Sequence, residues 1–170
     1  MVNISTTALL QRLNVDKSIY FQEYILLDGE TPEMVAYKLY KRVDYHWVIL
    51  ILNNIINPYT DWYIASEVFD LYVDNKYKLG VSNLPDSMGI GGINHFKHKF
   101  SGRILNDKED LEARFKYHQD PLSIGDNIIP VTNYEHEKSL NLQKQTLQVV
   151  NPRYIDNFVE SYLTMFNSDT

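Results

Sequence analysis

The stretch NHFKHKF, residues 94–100, carries His95 and His98, and Glu135, His136 and Glu137 follow further along, so imidazole and carboxylate donors for a metal ion are present. Three-residue spacing on a strand sends two side chains to opposite faces, which works against shared coordination. No metal is expected. Glu109, Asp110 and Glu112 form the densest carboxylate cluster, the type of pair a glycoside-cleaving enzyme uses, but their spacing reads as an exposed charged face. Asp28 and Glu30 read as turn and helix-dipole residues rather than an acid–base pair. His46 beside Trp47 reads as a packed or capping side chain, with no serine or acid placed to suggest a triad. The three glycines of MGIGGINHF (Met88 to Phe96) match neither a dinucleotide fingerprint nor a phosphate loop and read as a flexible turn. The chain has no cysteine, which removes thiolate chemistry, disulfides and cysteine-ligated zinc. None of these patterns calls for a cofactor, and each has a structural reading beside the chemical one. Lys97, Lys99 and Arg103 form a local basic patch with two readings, a solvated hairpin or a contact for an acidic protein neighbour.

The elements around these residues come from a chain of 170 residues that is 44% hydrophobic, enough for one domain or one small domain with an insertion. A formal net charge of -6 disfavours nucleic acid and anionic membrane as partners, because both require concentrated positive potential. The longest apolar run, Trp47 to Leu52, is far short of the roughly 20 residues that cross a bilayer. The opening MVNISTTALLQRLNV lacks a basic start followed by a long apolar segment, so a cytoplasmic product is expected. Thirteen tyrosines suit either an aromatic core or a protein interface.

In chain order, Ile4, Ala8, Leu9 and Leu13 suggest a turn or two of amphipathic helix in an N-terminal arm, residues 1–18. Tyr20 to Leu27 reads as a strand, ended by Asp28 and Gly29. Thr31 is placed to cap a helix, with Pro32 at its first position and Val35, Ala36 and Leu39 on its buried side. Asp44 reads as the cap of a second, almost wholly apolar helix closed by Asn53, Asn54 and Pro58. Ser66 to Tyr77 reads as a third helix with Phe69, Tyr72 and Val73 on one face. Residues 80–139 lose the pattern and read as an irregular, hairpin-bearing excursion with HFKHKF and DNIIPV as its strands. Leu147 and Val149 alternate as in a strand, Asn151 and Pro152 start a helix, and Tyr154, Ile155, Phe158, Val159, Tyr162, Leu163 and Phe166 recur at helical spacing.

The strand, the turn Asp28–Gly29–Glu30–Thr31 and two short helices ending in NNIINP resemble a LysM module, a two-stranded sheet covered by two helices. The second strand expected soon after is found only at Thr146 to Val150. That order, with YTDWYIASEVFDLYVDNKY and the closing EKSLNLQKQTLQVVNPRYIDNFVESYL, resembles the baseplate wedge subunit of contractile-tailed bacteriophages, the gene-product-fifty-three family. The resemblance is densest over 19–78 and 133–166.

The fold expected is α+β: a discontinuous LysM-like core from residues 19–60 and 144–168, whose strands pair antiparallel across an insertion at 61–143 containing one helix, 66–78, with an added C-terminal helix. The resemblance implies a scaffold clamp in the virion tail baseplate, without catalytic function or a small-molecule substrate, assembled in the host cytoplasm. Its partners would be other wedge proteins, including those of neighbouring wedges. Tyr59, Trp62, Tyr63, Phe69 and Tyr72 are the aromatic candidates for contact, with core as their other reading, and Lys97, Lys99 and Arg103 are the basic ones. The competing function is binding of peptidoglycan or chitin, for which residues 28–31 would form one wall. A muramidase-like enzyme is the third.

Overall fold

The computed structural model describes residues 17–78 and 90–167, and side chains over 19–78 and 90–164. Residues 1–16 of the N-terminal arm, the start of the glycine run at Met88 and Gly89, and the side chain of Phe166 lie outside what is described. In chain order the elements are helix α1 (Lys17–Tyr20), strand β1 (Phe21–Ile25), α2 (Pro32–Tyr40), α3 (His46–Leu52), α4 (Pro58–Asp61), α5 (Ser66–Lys78), β2 (Ile93–His98), α6 (Asp107–Gln119), β3 (Ile128–Thr132), α7 (Asn133–Gln143), β4 (Thr146–Val150) and α8 (Ile155–Asn167). The fold is α+β, with two small antiparallel sheets, β1–β4 and β2–β3. It divides into two compact units, one ending its first segment at Ala65 and resuming at Leu142, the other Ser66–Asn141.

In the first unit, Gly29 turns the chain between β1 and α2 at φ +78, a left-handed conformation that glycine adopts without strain. Thr31 then caps α2 by accepting from Met34 N at 3.3 Å, with Pro32 in the first turn, where its missing N–H leaves nothing unpaired. The second helix starts differently from the sequence expectation. Asp44 caps nothing: a 3-10 turn over Val43–Tyr45 leads into α3 without a side-chain cap, and Asp44 pairs instead with Arg42 at 2.6 Å. The short-range guanidinium partner two residues away competes successfully for the carboxylate.

Strands β1 and β4 pair antiparallel in the register Tyr24↔Leu147 and Gln22↔Val149, so the two ends of the chain close one core. Leu26, Val35, Ala36, Val48, Ile49, Leu147, Val149 and Val150 are buried there with Ile155 and Phe158 of α8. Phe158 meets Phe21 edge-on at 6.3 Å, and Tyr20 stacks on Tyr154 at 4.7 Å. These ring pairs add to the area they bury. The α8 stripe is thus docked through Ile155 and Phe158, whereas Leu163 is exposed.

Over residues 90–139 the second unit is more regular than the sequence reading expects. Strands β2 and β3 pair antiparallel, with Phe96 opposite Pro130 and a bulge between Ile93 and His95, but α6 lies between them in the chain, so they are not a hairpin. Two regular helices, α6 and α7, accompany them. Neither shows one apolar face. Helix α6 exposes Leu111 and Phe115 while burying Ala113 and Arg114, and α7 buries Asn133, Glu137 and Asn141. Hydrophobic periodicity detects a helix only when apolar residues are the ones that face inward. Asn106 and Glu109 nevertheless make a reciprocal capping box at the start of α6, at 3.0 and 3.1 Å.

Candidate protein-interaction site

The turn that begins α2 is organised by Glu30. Its carboxylate accepts from Tyr24 Oη and Leu27 N, each at 2.9 Å, and from Lys38 Nζ at 3.0 Å. Burial works to raise its pKa, but the Leu27 amide, Lys38 and Tyr24 outweigh that and hold it below the ordinary carboxylate value. The Trp62 indole donates to the Glu30 carbonyl at 2.7 Å. Glu30 therefore fastens the turn to β1 through Tyr24 and to α2 through Lys38, and its carbonyl holds Trp62.

Trp62 is buried in the core of the first unit, and Phe69 in the second, where its ring meets Tyr134 edge-on at 5.5 Å. For these two aromatics the choice between contact and core resolves to core. A ring enclosed by its own chain offers no area to a partner. Tyr63 is half-buried against the first core, Tyr72 half-buried on α5, and Tyr59 is 93% exposed.

The basic patch lies on the turn that follows β2. His98 N donates to the Arg103 carbonyl and Gly102 N to the His98 carbonyl, both at 2.9 Å, and Gly102 takes φ +69. Arg103 is engaged by Glu109 at 3.1 Å and by the His98 ring at 2.9 Å, so its guanidinium braces the turn. Lys97 and Lys99 carry the remaining charge, Lys99 over the Phe100 ring at 5.9 Å. Phe100 is 83% exposed. It was not among the sequence candidates; its signal was an aromatic placed between lysine and a Ser–Gly turn.

The chemical cluster separates in three dimensions. The His95 ring meets His136 edge-on at 5.4 Å, while His98 turns to Arg103. Among the described residues no group of three or more His, Cys, Asp or Glu side chains is arranged to hold a metal. Asp110 is not part of an exposed acidic face. It accepts from Phe96 N at 2.8 Å and from Arg114 Nε at 2.6 Å, and Arg114 reaches on to the Ile93 and Asn94 carbonyls at 3.1 and 2.6 Å. This pair ties α6 to β2. Glu137, 4% exposed, accepts from Lys76 at 2.9 Å and Tyr77 at 2.8 Å, and Asn94 links Tyr77 to Asn133. Asp110 and Glu137 thus each tie two elements of the second unit together.

The family model described as base plate wedge protein 53 matches residues 14–165. The chain belongs to that family. The match spans both units and explains a molecule whose ionisable clusters are used in bracing: base plate wedge proteins of this family are structural components of a phage tail, associated with other baseplate proteins, and not typically enzymatic. The family places the chain in the virion tail. No helix among the described residues is long and apolar enough to cross a membrane. No curated protein matches the chain.

Proposed function

We propose that this chain is a clamp that joins neighbouring wedge proteins during assembly of the baseplate in the host cytoplasm. The observation that carries the reading is the presence of two compact units on one chain, each with its own core and each with an almost fully exposed aromatic, Tyr59 in the first and Phe100 in the second. A large exposed ring on a short braced segment is suited to anchor a contact, since a few aromatic side chains dominate most interfaces. Lys97, Lys99 and the exposed edges of Tyr63 and Tyr72 complete the contact set, with Arg103 holding the turn. The first unit is read as a split LysM-like module, supported by the order β1–α2–α3–β4 and by the β1–β4 pairing.

Sugar binding is the weaker reading, because the turn at Asp28–Thr31 has its Glu30 carboxylate and carbonyl already satisfied by Tyr24, Lys38 and Trp62. Co-expression with the other wedge proteins of the same tail tests the clamp: a stable heteromeric complex is expected, and a lone monomer under every combination overturns it. Firm retention of the chain on insoluble chitin or peptidoglycan would favour the sugar instead.

A further inference from the structure

The two edges of the β1–β4 ribbon are unequal. Asn151 N donates to the Tyr20 carbonyl at one end of the ribbon and Leu26 N to the Gln145 carbonyl at the other, both at 2.8 Å. Successive residues of an antiparallel strand point their backbone groups to alternate sides. Tyr20, Gln22, Tyr24 and Leu26 therefore face β4, and Glu23 and Ile25 turn their N–H and C=O groups outward. On the far side of β4 the equivalent outward groups are closed by side chains: the Asn53 amide bonds both Gln148 N and Gln148 O at 2.8 Å, and Tyr40 Oη donates to the Val150 carbonyl at 3.0 Å. The backbone groups of Glu23 and Ile25 have no such partner among the described residues. Both side chains are exposed, Ile25 at 65%.

We propose that the β1 edge accepts an extended strand donated by another wedge protein, making a third strand of the ribbon. Outward N–H and C=O groups repeating every second residue are matched by another extended backbone, the arrangement of strand addition. The side chains refine the partner. Glu23 calls for a lysine or arginine opposite, and Ile25, two residues on and on the same face, for an apolar residue. A second copy of this chain is the poorer occupant: antiparallel self-pairing over the whole of β1 sets Glu23 against Glu23, and like charges directly opposite destabilise a sheet. Proteins guard open edges against unwanted pairing with charge or proline; here one edge is closed by Asn53 and Tyr40 and the other carries a single carboxylate. The inference rests on the wedge-joining reading, since it draws the strand from a wedge protein.

Backbone hydrogen exchange on the full chain, alone and in the co-expressed wedge complex, tests it. In the free chain the Glu23 and Ile25 amides should exchange fast while Gln22 and Tyr24 are protected, and in the complex all four should be protected. Glu23→Pro removes one outward N–H and leaves the β4-facing bonds, as proline is tolerated on edge strands; it should weaken the complex at least about tenfold. Ile25→Lys, which touches no ladder bond, should weaken it similarly with an unchanged melting temperature, so that a misfolded proline variant leaves the test intact. A complex that forms while the Glu23 and Ile25 amides still exchange fast overturns strand addition and leaves the clamp standing. Absence of any complex overturns both. Protection of these amides in the free chain with a doubled mass overturns it in favour of self-pairing.

Discussion

Asn53 and Gln148 stand 95 positions apart in the chain, yet the side-chain amide of one bonds both backbone groups of the other, N–H and C=O, at 2.8 Å each. The same amide also donates to the Ile49 carbonyl at 2.8 Å. One residue thus ends α3, fastens that helix to β4 and blocks the outer edge of the ribbon. Asn53→Ala removes all three bonds and should lower unfolding stability by about 1–3 kcal/mol, measured by urea denaturation. Asn53→Asp keeps the acceptor for Gln148 N but sets an anionic oxygen against the Gln148 and Ile49 carbonyls at a helix C-terminus, and should be at least as destabilising as alanine.

Burial separates the aromatic and aliphatic candidates. Ile49, fully buried among Val35, Val48 and Val149, should cost about 2–5 kcal/mol on truncation to alanine, and Trp62→Ala about 3–5 kcal/mol. Tyr59→Ala and Phe100→Ala should each change stability by less than about 0.5 kcal/mol. Thermal melts of the four variants check the contrast. Binding to wedge proteins should show the opposite order for the folded pair, with Tyr59→Ala and Phe100→Ala weakening the complex.

The Glu137 carboxylate gives the second unit a defined acid response. Burial pushes its pKa up, but Lys76 and Tyr77 outweigh this and hold it below the ordinary value of 4.5. A carboxyl with a depressed folded pKa contributes stability that is present above the unfolded value and lost as pH falls through the folded one. Stability should therefore drop below about pH 4.5, and the drop should be shallower in Glu137→Gln. That variant should also be less stable at neutral pH, because Lys76 loses its anionic partner. Melting temperatures from pH 7 down to pH 3 read both effects.

His95 should respond at a higher pH. Burial and then the neighbouring His136 lower its pKa from 6.5; Asp110 pulls the other way, and Lys97 and Arg114 add smaller lowering contributions. The folded chain thus disfavours the imidazolium. The penalty is absent above 6.5 and grows as pH falls from there through the folded value. Histidine ring resonances followed by NMR should show His95 titrating below a free imidazole, and His136→Ala should move it upward.

Much of the first unit was legible from its residues because local and long-range signals agree there. Thr31, Pro32 and Gly29 define a turn and helix start by chemistry that acts within a few residues, and Leu147 and Val149 show the alternation of a half-buried strand. Asp44 misled because a cap is a competition among nearby donors, and Arg42 won the carboxylate. In the second unit the usual signal was missing. Helices α6 and α7 turn Arg114, Asn133, Glu137 and Asn141 inward, so their faces are defined by hydrogen bonds to partners remote in sequence.

The residues alone determined an acidic chain without thiols, the strand–turn–helix opening, the apolar helix at Trp47 to Leu52 and the family resemblance, since charge, turn chemistry and apolar spacing are local properties. Only the tertiary structure decided that Trp62 and Phe69 are core, that Asp110 ties α6 to β2 and Glu137 ties α7 to α5, and that β1 keeps an open edge while β4 does not. Each of those outcomes depends on which distant backbone or side chain arrives beside the residue, and spacing along a chain does not encode that arrival.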